Sequence, residues 1–95
     1  MTAEIKYLAN PGFVMREIAG EILLVPVGEQ TKKFNGFVTF TETGAFIWKL
    51  LDGTRTAADI AALLAKEYDT EGEEVLADVL EFLTGAEKKG LVLRP

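Results

Sequence analysis

Two short runs near the front of the chain, 13–18 (FVMREI) and 21–26 (EILLVP), are dense in apolar residues and are separated only by Ala19 and Gly20. A two-residue connection between such runs predicts a β-hairpin. In the first run Phe13, Met15 and Glu17 alternate with Val14, Arg16 and Ile18. Neither set is cleanly polar, so this strand is expected to be only partly covered. Residues 29–36 (EQTKKFNG) read as a polar loop, after which the turn pair Asn35 and Gly36 introduces a third strand, Phe37, Val38, Thr39 and Phe40. Asn-Gly is a strong turn signal because both residues tolerate left-handed backbone. Three antiparallel strands are therefore expected to form a small sheet.

Beyond residue 40 the period changes. Thr41, with Glu42 in the first turn, predicts the start of a helix that runs to Leu51 and is closed by Asp52 and Gly53. It is apolar on most sides, so it is expected to be largely buried, and Trp48, Phe46 and Phe13 are read as core. Thr56 caps a second helix to about Tyr68, with Ile60, Leu63 and Leu64 at helical spacing. Thr70 and Glu73 have the spacing of a capping box for a third helix ending near Lys89. Gly90 stops it, and Leu91 to Leu93 suffice for a short C-terminal strand. The order is β-β-β-α-α-α-β, an α+β class with a winged helix-turn-helix-like sequence of elements.

Length and composition narrow what such a domain can do. At 95 residues there is one core, so residues 1–95 are read as a single domain with its ordered part at 11–93. Histidine, cysteine and serine are all absent. That removes the usual general base, thiolate chemistry and disulfides, and a catalytic site or a resident cofactor is not expected. Glu73, Glu74 and Asp78 share a helix with no histidine nearby and read as a solvated face rather than a metal site. The net charge is −5, and residues 56–89 alone carry −6. Such a balance speaks against nucleic acid, whose affinity comes largely from Lys and Arg on phosphates. The start MTAEIKYLANPG has no signal-peptide pattern, and no apolar run approaches the roughly 18 residues of a membrane span. The expected location is the cytoplasm.

Two features point to binding. On a helical wheel Val75, Val79, Phe82 and Ala86 form one flank of the third helix, and Leu76, Leu80 and Leu83 the other, a stripe of about 160° where a surface helix needs about 100°. Either the sheet and the other helices wrap it, or the helix is one wall of a groove. The second feature is Phe37–Phe40, short and without the lysine or proline that protects an exposed edge. As an edge it can accept an extended peptide by strand addition, or a second copy of itself in a homodimer; as a central strand it cannot.

The segment FNGFVTFTETGAFIWKLLDG, then TRTAADIAALLAKEYD, then ADVLEFL before KKGLV, resembles the PqqD family in order and spacing from about Pro11 to Val92. The opening is similar to the free-standing members. Gly85 and Ala86 depart from the family, which has a polar residue and then leucine there. The resemblance implies a recognition element for ribosomally synthesised, post-translationally modified peptides (RiPPs). Such a domain is a non-catalytic adaptor that binds a precursor's leader segment as an added strand and presents it to a modifying enzyme, often of the radical SAM type. The pathway to pyrroloquinoline quinone (PQQ) itself is not implied. Carried over, the strand contacts are Phe37, Val38, Thr39 and Phe40, and the helix contacts Leu76, Val79, Leu80 and Leu83. Aspartate at Val79 or Leu80 is expected to abolish peptide binding without unfolding the domain. Lys32, Lys33 and Lys49 are expected near the strand, favouring an acidic leader. The alternative is a winged-helix DNA-binding regulator, whose recognition helix would bring Glu71, Glu73, Glu74, Asp78 and Glu81 to phosphate. A small enzyme or carrier of a quinone product is the remaining reading.

Overall fold

The computed structural model describes residues 5–34, 36–69 and 72–94, with the side chains of 72 and 73 excepted. The hairpin forms as its sequence predicts: β2 (Phe13–Ile18) pairs antiparallel with β3 (Glu21–Pro26), with Ile18 opposite Glu21. Ala19 and Gly20 both take positive φ, 53° and 83°, as the tight turn between twisted strands demands. The third strand, β4 (Val38–Phe40), lies against β3 with Ile22 opposite Phe40 and Leu24 opposite Val38. The sheet order β2-β3-β4 leaves β4 at an edge. Phe37 stands just before the strand, and Asn35 lies outside the described residues.

A second three-stranded sheet, order β5-β1-β6, was not expected from the sequence. Its central strand β1 (Lys6–Ala9) precedes the predicted ordered part and pairs with β5 (Asp52–Thr56) and β6 (Val92–Leu93). The polar stretch 29–36 also contains one helical turn, α1 (Gln30–Lys33).

Helix α2 (Glu42–Lys49) starts where Thr41 Oγ1 accepts the Gly44 N–H, but it ends before Leu50 rather than at Asp52. Residues 52–56 (DGTRT) go to β5 instead, because Leu8 and Lys6 of β1 offer them a ladder at Asp52 and Thr56. Thr56 then ends β5 and caps α3 (Ala57–Tyr68): its hydroxyl accepts the Asp59 N–H at 3.1 Å, while the Asp59 carboxylate accepts the Thr56 N–H at 3.0 Å. This reciprocal box satisfies two otherwise unpaired donors. Helix α4 (Gly72–Lys88) follows; the box predicted from Thr70 and Glu73 lies outside the described residues. At its far end Gly90 has φ +78°, and the Leu91 N–H returns to the Ala86 carbonyl at 2.9 Å, a Schellman closure.

The core joins both sheets to all three long helices. Leu24, Ile47, Ile60, Val79, Leu83, Leu91 and Val92 are its most buried side chains. Phe13 and Trp48 are buried with them, and Phe46 packs partly buried, edge-on to Tyr68. No helix among the described residues is long and apolar enough to cross a membrane.

Candidate functional site

Because β4 is an edge, half of its main-chain N–H and C=O groups face away from β3, and no strand among the described residues meets them. They open onto a cleft of about 330 Å³ whose opposite wall is α4. Val38, Thr39 and Phe40 form the strand side. Phe40 is buried, its ring 5.8 Å from Trp48 and 5.6 Å from Phe82, whereas Thr39 is exposed. Phe82 also reaches α2: a Cβ on Gly44 would lie 3.2 Å from its ring. Any larger residue at Gly44 would press on the Phe82 ring, which would have to give by a few tenths of an ångström where α2 meets α4.

The helix side is a polar rim over an apolar floor. Glu81, Gly85 and Lys89 form the rim, while Phe82, Ala86 and Leu91 form the floor. Ala86 and Leu91 are buried, so the floor is continuous with the core. Asn10 fixes this end of the cleft. Its Nδ2 donates to the Gly90 carbonyl at 2.8 Å, its N–H donates to the Leu91 carbonyl at 2.9 Å, and its Oδ1 accepts the Gly12 N–H at 2.8 Å. Arg94 adds two hydrogen bonds to Glu87 across the same corner.

The sequence-predicted site residues divide sharply. Val38, Thr39 and Phe40 line the cleft, and Phe37 is beside them, 60% exposed. Val79 and Leu83 are fully buried in the core at 0% and 1% exposure. An aspartate at Val79 therefore places an unpaired charge in the core, so the expected separation of binding from folding does not hold there. Leu76 and Leu80 pack half-buried against the core on another side of the helix, about 180° and 140° around the axis from Gly85. The wheel shows a wide stripe without saying which flank is free. Glu81, Gly85 and Lys89 lie beyond the apolar stripe and carried no sequence signal of their own. Nor do Lys32, Lys33 or Lys49 line the cleft; its cation is Lys89, and Lys49 faces Met15, Arg16 and Ile22 in a separate small cavity.

A second hollow of similar size, about 360 Å³, lies between α2, α3 and α4 among Leu64, Tyr68, Val75 and Asp78. Its walls are helices, so it offers no strand edge to an extended ligand. Among the described residues no three acidic side chains converge as a metal site. Asp52 and Asp59 are held below the usual carboxylate range, Asp52 chiefly by the Thr54 hydroxyl and Asp59 chiefly by the Thr56 N–H; both are exposed, Asp52 at the start of β5 and Asp59 in the cap of α3.

The family model described as coenzyme PQQ synthesis protein D (PqqD) matches residues 21–92. Among curated proteins none matches at a significant level. Three solved structures share the fold. One is the PqqD truncation of Methylobacterium extorquens PqqCD, described as a stand-alone RiPP recognition element, at 21% identity and TM-score 0.74, covering 99% of this chain and 94% of that one. A lasso peptide synthetase B1 complexed with the leader peptide gives 20% identity and TM-score 0.73, covering 93% of this chain and 98% of that one. TbiB1 in complex with the TbiA(beta) leader peptide gives 21% identity and TM-score 0.71, covering 90% and 93%.

Proposed function

The chain belongs to the PqqD family, and from that premise we propose that it is a non-catalytic adaptor. It binds the leader segment of a ribosomally synthesised precursor peptide and presents it to a modifying enzyme. The observation that carries this reading is the unpaired edge of β4 facing α4 across an apolar floor. A leader laid along that edge completes the strand's main-chain hydrogen bonds, and its inward side chains drop onto Phe82, Ala86 and Leu91. The contacts are the main chain of Val38, Thr39 and Phe40 and the rim of Glu81, Gly85 and Lys89. Val79 and Leu83 support that wall from beneath. Two peptide-bound structures of the same fold support the choice of ligand.

The finer reading takes the α3–α4 pair with the β5-β1-β6 sheet as a winged-helix-like arrangement, places the protein as one domain in the cytoplasm, and pairs it with a radical SAM enzyme. DNA is not the ligand in this reading, because α4 carries Glu74, Asp78, Glu81 and Glu87 where phosphate would approach. Ordering a flexible leader costs about 2–5 kcal/mol, so the dissociation constant is expected at roughly micromolar or somewhat below. The test is titration of isotope-labelled protein with the leader of the precursor encoded beside it, followed by amide NMR. Saturable shifts at 38–40 and 81–89 are expected; a saturable complex that leaves β4 unshifted overturns the site.

A further inference from the structure

Helix α4 contains two kinds of position on its cleft side, apolar floor and polar rim, and the rim is regular. Glu81 and Gly85 of α4, and Lys89 just past its end with its N–H still on the Gly85 carbonyl at 3.3 Å, stand four residues apart on one stripe. At 1.5 Å per residue they are about 6 Å apart along the axis and span about 12 Å. All three line the same cleft as three consecutive residues of β4.

Gly85 has no packing reason to be glycine. A Cβ built there meets nothing within 4 Å, whereas one built at Gly44 would press on Phe82 at 3.2 Å. Glycine is also the poorest helix former after proline, and this one sits inside a 17-residue helix. What its missing side chain does is leave the rim empty at its middle, directly beside the apolar floor. The empty place has an anionic residue on one side and a cationic one on the other, and among the described residues neither Glu81 nor Lys89 is in an ion pair.

An extended segment added to β4 turns every second side chain toward α4, at intervals of about 6.6–6.8 Å. That interval is close to the roughly 6 Å between rim positions, so in a five-residue segment that runs parallel to α4 and continues past the three residues of β4, three successive inward side chains would meet Glu81, Gly85 and Lys89 in turn. We propose that Gly85 is a specificity-determining position. It admits a large apolar side chain, such as leucine or phenylalanine, from a segment that also carries a basic residue two positions to one side, opposite Glu81, and an acidic residue two positions to the other, opposite Lys89. The inference rests on the β4–α4 cleft being the leader site, and it names the leader's class: a strand-forming stretch of the form basic–x–large apolar–x–acidic, read in the direction that its strand polarity sets.

The test is selection of a displayed library of short random peptides on the immobilised protein, and separately on Gly85→Leu. The wild-type pool is expected to carry the three-position pattern. An enriched peptide should bind Gly85→Leu at least about tenfold more weakly, because the new side chain occupies the same space. Circular dichroism establishes that this variant is folded; should it not be, Gly85→Ala with a smaller loss serves instead. Exchanging the rim charges, Glu81→Lys with Lys89→Glu, should reverse the charge order of the selected pool. Enriched peptides that shift the Val38–Phe40 amides but lack the pattern, or that bind Gly85→Leu unchanged, overturn the inference and leave the adaptor reading standing. Enriched peptides that leave β4 unshifted, or no enrichment at all, overturn both.

Discussion

Asp59 shows how much one exposed side chain contributes to local order. Its carboxylate accepts the Thr56 N–H, which holds its pKa below the ordinary aspartate value. A depressed folded-state pKa means that the stabilisation is fully present above the unfolded value, near 3.9, and is lost as pH falls through the folded one. In denaturant titrations the deficit of Asp59→Ala relative to wild type should hold steady between about pH 5 and 7 and shrink below about pH 4. An equal deficit at pH 3 and pH 6 would show that the charge is immaterial. Val79 and Leu80, adjacent in sequence, separate packing from surface. Val79→Asp should abolish cooperative unfolding, since an uncompensated buried charge costs several kcal/mol. Leu80→Asp, at a half-buried position away from the cleft, should fold and retain leader binding; a folded Leu80→Asp without binding would return the peptide to that flank.

At the scale of elements, α4 carries two duties that conflict at Gly85. The helix needs propensity, and the cleft needs space. Gly85→Ala should stabilise the domain by about 1 kcal/mol, because alanine is the better helix former and its methyl meets no neighbour. Thermal unfolding measures this as a rise of several degrees for a domain of this size. An unchanged or lowered midpoint would mean that the backbone there is strained in a way only glycine relieves. Strand β4 makes the complementary compromise. It is only three residues long, which blunts an open edge, yet it has no proline or lysine to close it.

For the whole molecule, the decisive unexpected feature is β1. It is the central strand between β5 and β6 and buries Tyr7 to 2% exposure. Removing residues 1–9 should therefore cost at least about 3–5 kcal/mol, the loss typical of deleting one large buried aromatic, before the two ladders are counted. Urea unfolding of the shortened chain measures it. A midpoint equal to that of the full chain would show that the domain begins, as the sequence suggested, at about residue 11.

Local chemistry explains what was legible beforehand. The hairpin, the caps at Thr41 and Thr56, the stop at Gly90 and the α4 stripe are each specified within a few residues, by turn geometry or by one side chain reaching its own backbone. The strand that offers its edge was legible for the same reason, as was the order of elements that resembles PqqD. By itself, then, the sequence determined an α+β domain with a short unprotected strand and an over-apolar last helix. Tertiary structure alone decided the rest. KYLA and DGTRT become strands because partners far along the chain supply their hydrogen bonds, which no local pattern records. The free flank of α4 was likewise undetermined, since a wheel gives angles around an axis but not the direction from which the core approaches. Once α3 and β6 pack against α4 and Val79 and Leu83 are buried in the core, Glu81, Gly85 and Lys89 are left as the polar rim beside Phe82 and Ala86 that faces β4.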